Sequence, residues 1–271
     1  MTTSRFLALA FAVGVATCQA NAQSVTLRMN LKPGTTYRQQ TKMTTAMNMG
    51  NQPMTMNMDQ TMATKVSQKT AKGFKVMTTV EAIKVTGTGP MANGGKSVED
   101  SMRGKTMESE IDLRGRTVGE VKGLPGMSQM GGMAGGSGAG ISGVEFPEGP
   151  VKVGSSWTTT MDLAKMLGSQ SGMKMSGKPM TTKYTVKAIS GQTVTLAIAV
   201  TANYAMTMGG GTGNQASGQK MNMTIAMSGT GTTVIDTTTG LPKSTDMKMT
   251  NTTNMGTMVM KQTITVTSRM K

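Results

Sequence analysis

The stretch Thr193-Val194-Thr195-Leu196-Ala197-Ile198-Ala199-Val200-Thr201-Ala202-Asn203-Tyr204-Ala205-Met206-Thr207-Met208 alternates from end to end. Its even positions form one apolar face, and Thr193, Thr195, Ala197, Thr201 and Asn203 line a small or polar one. Strict period 2 over this length is the pattern of a half-buried β-strand. A helix would scatter the same residues around its circumference.

The alternation spreads outward from there. Before the turn at Gly191, Met180, Tyr184, Val186 and Ala188 alternate with Thr181, Lys183, Thr185 and Lys187. After a glycine-rich turn at 209–218 come Met221, Met223, Ile225 and Met227, then Ile235-Asp236 and a turn at Gly240. Leu241, Met247 and Met249 belong to the next strand, and Met258, Met260, Ile264, Val266 and Met270 to the last. In the first half, Val25, Leu27, Met29 and Leu31 predict a strand, and Tyr37, Met43, Met47 and Met49 a second. The run 54–69 sets Met54, Met56, Met58, Met62 and Val66 against Thr55, Asn57, Asp59, Thr61 and Lys65. Phe74, Val76, Val80 and Ala82 follow, and the switch to Ile83 and Val85 predicts a bulge near Glu81. Residues 87–95 read as a loop, Met107 to Leu113 as a strand, and 117–122 as its short partner. A turn of helix is expected at 162–167 and a loose loop at 168–179.

Three markers occur twice in the same order. Leu31-Lys32-Pro33-Gly34-Thr35-Thr36-Tyr37 returns as Val151-Lys152-Val153-Gly154-Ser155-Ser156-Trp157. Gly73 returns as Gly191, and Ile111-Asp112 as Ile235-Asp236, with offsets of 120, 118 and 124 across the three markers. Self-similarity at a near-fixed period predicts internal duplication. The expected organisation is a leader at 1–22, a first β repeat at 23–122, a Gly/Met-rich linker at 123–149 and a second β repeat at 150–271. The expected fold is all-β with little helix: a large curved antiparallel sheet of about twelve strands, as a half-barrel or a two-sheet meander.

Residues 1–22 have the form of an export signal, with Arg5, the apolar run Phe6 to Ala16 and the small-x-small site Ala20-Asn21-Ala22. Val15-Ala16-Thr17-Cys18 loosely fits a lipobox, so lipidation at Cys18 is the alternative. The expected location is therefore exported, periplasmic or extracellular. The chain has no histidine and one cysteine, Cys18. Ser-His-Asp and Cys-His catalysis and His/Cys zinc sites fall away on that ground. Glu108, Glu110 and Asp112 share one strand face and suit cross-strand pairing with lysines. Ser171-Gly172-Met173-Lys174 and Ser217-Gly218-Gln219-Lys220 match Ser-x-x-Lys without the companion motifs, so no enzyme is expected.

A net charge of +15 favours anionic partners such as lipid headgroups or other envelope components, with peripheral membrane contact. Aromatics are only 3% of residues, too few for stacking platforms, so no specific nucleic acid is expected. The same scarcity, with the terminal Arg269-Met270-Lys271, argues against a membrane barrel.

The 32 methionines are the unusual feature. On a strand Met-x-Met places two thioethers on one face about 6.5–7 Å apart. Methionine is an adaptable core filler, and a sheet face lined with it also suits an apolar ligand. Candidate ligand-binding residues are Met54, Met56, Met58, Met62, Tyr204, Met206, Met208, Met221, Met223 and Met227. The alternative is Cu(I) or Ag(I) bound by Met54, Met56, Met58, Met221, Met223, Met247 and Met249, because thioethers are soft donors. No other cofactor is expected, and a purely structural envelope role is the third reading.

The layout resembles a group of exported bacterial proteins known only as a domain of unknown function. The resemblance rests on Lys32-x-Gly34-x-x-Tyr37, on Phe146-Pro147-x-x-Pro150-Val151-x-Val153-Gly154-x-Ser156-Trp157 and on Asp236-x-x-x-Gly240-Leu241-Pro242. It implies export and this β architecture, and no activity. At fold level the layout is also similar to the periplasmic lipoprotein-localisation carriers, whose half-open barrels hold acyl chains.

Overall fold

A computed structural model of the chain describes residues 23–49, 52–88, 95–123, 143–162, 173–208, 221–256 and 258–271. The expected leader with Cys18, the expected turn at 209–218, and most of the expected 123–149 linker and of the helix expected at 162–167 lie outside them. The described elements are β1 (Thr36–Met49), β2 (Gln52–Lys69), β3 (Gly73–Gly87), α1 (Gly95–Met102), β4 (Thr106–Asp112), β5 (Thr117–Lys122), β6 (Ser156–Met161), β7 (Met173–Ser190), β8 (Thr193–Met208), β9 (Met221–Asp236), β10 (Pro242–Met255) and β11 (Met258–Met270).

All eleven strands form one curved, open antiparallel sheet in the order β5-β4-β3-β2-β1-β11-β10-β9-β8-β7-β6. The two-sheet alternative is therefore not taken up. From β1 the chain steps outward to one edge at β5, crosses to the other edge at β6, and steps back until β11 meets β1. One end of the sheet, here the corner end, gathers the hairpin at Gly73, the hairpin at Gly191 and both Ile-Asp turns. The opposite end is the rim.

Two extended segments pack across the corner end. Residues 25–31 are not a strand: Val25 bridges Val151, Met29 N–H donates to Leu113 O at 2.8 Å, and Asn30 N–H donates to Thr239 O at 2.9 Å. The alternation is real, since Leu27, Met29 and Leu31 are buried, but turns rather than a neighbouring strand satisfy the backbone. The second segment, 144–151, buries Val144 and Phe146, and Phe146 N–H donates to Arg114 O. Arg114 also pairs with Glu145 at 3.1 Å and Glu148 at 3.0 Å, and Arg28 donates to the carbonyls of Pro147 and Glu148. Two guanidiniums thus tie this segment to its neighbours.

The main core joins both segments to Val66, Phe74, Val76 and Ile111 from one half and Tyr184, Val186, Val194, Leu196 and Ile235 from the other. The paired corners are built alike. Gly34 N–H donates to Val66 O, and Val66 N–H returns to Thr35 O; Gly154, Val186 and Ser155 repeat that pair of bonds. Trp157 stacks on Tyr184 with centroids 5.3 Å apart and donates its Nε1–H to Glu145 O.

The bulge near Glu81 is present: Thr61 pairs with Ala82 and Met62 with Val80, so Glu81 is the extra residue. It turns Ile83 inward and leaves Ala82 exposed. A similar step at Lys187 leaves Ala188 exposed on β7. One further expectation needs correction, and one element was not anticipated. Residues 173–179, read as loop, belong to β7: 173–178 pair with β8, with Gly177 opposite Tyr204, and a register shift between Lys178 and Thr181 joins them to the rest of the strand. α1, which the sequence reading omitted, packs Met102 and Val98 against Met58, Val80 and Ile83.

Candidate functional site

Between the bulges the register holds from strand to strand, so the inner face resolves into rows that run across the strands. Nearest the corner end the rows hold aliphatic and aromatic residues that are fully buried, such as Val66, Phe74, Val194 and Ile235. A middle row reads Leu196, Thr233, Thr245, Ser268, Thr41 and Gln60. Its hydroxyls pair among themselves, Thr233 with Thr245 at 2.8 Å and Thr41 with Ser268 at 3.2 Å. The next reads Ile198, Gly231, Met247, Val266, Met43, Met58 and Val85.

Met247 and Met249 fill gaps left by missing side chains. A Cβ added at Gly231 would lie 2.5 Å from Met247 Cγ, and one at Gly229 would lie 2.6 Å from Met249 Cγ. Both methionines are buried and act as packing. Met58 lies under α1 in the second core cluster.

Toward the rim the character changes. One row reads Ala202, Met227, Asn251, Gln262, Met47 and Met54. Beyond it stand Tyr204, Ile225, Thr253 and Met260. Met47, Met227, Ile225 and Met260 are only half-buried, so thioether and aliphatic surface meets solvent there. Set among them, Asn251 is 9% exposed. Its Nδ2 reaches Gln262 Oε1 at 3.5 Å, and its Oδ1 has no hydrogen-bond partner. An unpaired buried amide oxygen costs about 1–3 kcal/mol unless something else supplies a donor. This is an apolar surface with one buried, unsatisfied acceptor, which are the elements of a site for an amphiphile.

The sequence candidates fall in different places. Met54, Met56, Met58 and Met62 lie on β2; Tyr204, Met206 and Met208 on β8; Met221, Met223 and Met227 on β9. Register brings the β8 and β9 groups together, Met206 opposite Met223 and Met208 opposite Met221. The β2 group stands apart, with β1, β11 and β10 between it and β9, roughly 19 Å along the sheet at about 4.8 Å per strand. Sequence reading missed Asn251, Gln262 and Met47. Their only signal is cross-strand register, which no local pattern carries.

The outer face is Thr/Lys-rich and carries exposed ion pairs: Arg38–Glu81 at 3.0 Å, Lys42–Asp59 at 3.9 Å and Arg269–Asp246 at 3.0 Å. Two shallow depressions lie on it, one lined by Ala199, Thr201, Ser228, Thr230, Lys248 and Thr250. Of the acidic trio on β4, Glu108 stands opposite Lys122 and Glu110 opposite Lys75. Asp112 is instead buried and organises the β4–β5 turn. Among the described residues no helix is long and apolar enough to cross a membrane, and no group of three His, Cys, Asp or Glu could hold a metal.

The model of a family of unknown function (DUF6263) matches residues 143–242, which run from the Phe146 segment through β9 to the Gly240 turn. The expected resemblance to an uncharacterised family is thus shown over that region. No curated protein matches the chain. A solved structure of lipid–protein interactions in lipovitellin is similar in fold, with a TM-score of 0.51 and 8% identity. The match covers 89% of this chain and 25% of that one, so this chain spans about a quarter of the length of lipovitellin's. An outer membrane channel from Pseudomonas putida F1 aligns over 90% of this chain and 97% of its own at 8% identity. Its TM-score of 0.22 lends it no weight.

Proposed function

We propose that the chain is a non-enzymatic exported envelope protein that binds a lipid-like amphiphile on the rim half of its inner face. The observation that carries this reading is Asn251: a buried carbonyl oxygen without a donor, set among half-buried Met47, Met227, Ile225 and Met260. The acyl part of a ligand would cover the thioethers, which adapt to irregular chains, and its polar group would donate to Oδ1. The similarity in fold to lipovitellin, whose solved structure concerns lipid–protein interactions, supports the reading at the level of architecture. Export is proposed from the form of residues 1–22.

The test is native mass spectrometry of the full chain after incubation with lysophospholipid, beside an Asn251→Leu variant. Asn251→Leu removes the acceptor at similar volume, so the fold is kept and lipid uptake falls. Bare protein in both samples would rule out amphiphile binding, and equal uptake by both would remove Asn251 from the site.

A further inference from the structure

Five methionines from five consecutive strands stand in one row at the rim. Met175 on β7 pairs with Met206 on β8, Met206 with Met223 on β9, Met223 with Met255 on β10, and Met255 with Met258 on β11. In the adjoining row the backbones of Met173, Met208 and Met221 are likewise in register. Burial does not account for this row. Met175, Met206, Met223 and Met255 are half-buried, and Met258 is 55% exposed. The main core reaches the adjoining row at Tyr204, and Met175 packs against it, but Met206, Met223, Met255 and Met258 stand toward the rim from it; the outer face at the same level carries Ser176, Ala205, Thr224, Asn254 and Val259.

We propose that this row is a site for a soft monovalent cation, Cu(I) or Ag(I), held by the thioethers of Met206, Met223 and Met255, with Met175 and Met258 as flanking donors. Directly opposed residues on neighbouring strands have Cβ atoms about 4.5–5.5 Å apart, and the flexible methionine arm lets three sulfurs converge on one ion. Neutral thioethers select soft ions, whereas magnesium and calcium require oxygen ligands. The net charge of +15 repels any cation, so affinity must come from the metal–sulfur bonds themselves. Thioethers do not titrate, so binding is independent of pH across the range in which a histidine or cysteine site would lose its metal. The assignment stands apart from the amphiphile reading, whose carrying residue is Asn251.

The experiment is anaerobic titration of the full chain with Cu(I) against a chromophoric chelator. It compares wild type, the triple variant Met206→Leu/Met223→Leu/Met255→Leu, and the control Met54→Leu/Met56→Leu on β2. Leucine conserves volume, so folding is retained. Wild type and control should withdraw Cu(I) from the chelator equally at acid and neutral pH, and the triple variant should bind at least about tenfold more weakly. Failure of wild type to compete at micromolar metal, or equal loss in the control, overturns the proposal. A measurement on wild type alone removes dependence on the variant: Ag(I) added to methyl-13C-methionine protein should shift the methyls of this row. Unmoved row methyls overturn the proposal as well.

Discussion

Asp112 and Asp236 do the same work at the ends of β4 and β9. Asp112 Oδ1 accepts from the backbone N–H of Arg114 at 2.8 Å, and Asp236 Oδ1 accepts from that of Thr238 at 2.9 Å. Each carboxylate thereby fixes a side-chain turn, which explains why Ile-Asp occurs twice in the sequence. Burial pushes the Asp236 carboxyl up, but hydrogen bonds from the Thr238 hydroxyl and N–H, with the nearby Lys243 charge, outweigh it and hold the group below its ordinary range. A depressed carboxylate stabilises the fold above its unfolded value of 3.8, and that contribution is lost as pH falls through the folded value. Asp236→Asn should therefore lower the melting temperature near about pH 7, and the difference should vanish well below about pH 4. Thermal melts of both proteins across that range check it; a difference that persists in acid would count against it. Thr159 makes the opposite case. Its hydroxyl is buried without a partner, so Thr159→Val should be neutral or stabilising by up to about 1 kcal/mol in denaturant unfolding.

At the scale of elements, α1 solves an edge problem. β4 pairs with β3 only as far as Thr79, which would leave the backbone of residues 80–87 unpaired on that side. α1 and the turn after it cover that edge: Glu99 Oε1 accepts from Val85 N–H at 2.7 Å, Val80 N–H donates to Lys105 O, and Gly104 N–H donates to Val80 O. Covering an open strand edge suppresses pairing with other chains. Glu99→Ala should cost about 1.5–3 kcal/mol, the worth of a hydrogen bond to a charged group, and should speed hydrogen exchange at the Val85 amide. Unchanged exchange there would mean that α1 does not hold the edge. The strands were legible because period 2 is a local signal, and the Glu81 bulge because Ile83 and Val85 break the phase. α1 was not legible: in eight residues only Val98 and Met102 are apolar and correctly spaced, too short a run to show a helical period. Residues 25–31 misled in the opposite way, since one-sided burial produces alternation whether the backbone partners are strands or turns.

For the whole molecule, the order of strands sets what the inner face can do. The chain runs to one edge of the sheet and returns from the other, so β1 and β11, its first and last strands, meet in the middle. That junction puts Gln262 between Asn251 and Met47, residues more than 200 positions apart at the extremes. The candidate site is thus assembled by topology, which is why the sequence indicated a methionine face but not where on it polarity is buried. The gradient from a sealed corner to a half-buried rim divides the methionines into packing residues, such as Met29, Met58, Met247 and Met249, and surface available to a ligand. The most direct test of the central claim is titration of methyl-13C-methionine full chain with lysophospholipid, followed by NMR. The methyls of Met47, Met227 and Met260 should shift and saturate while those of Met29 and Met102 stay fixed; rim methyls that do not move, or core and rim methyls that move alike, would contradict it.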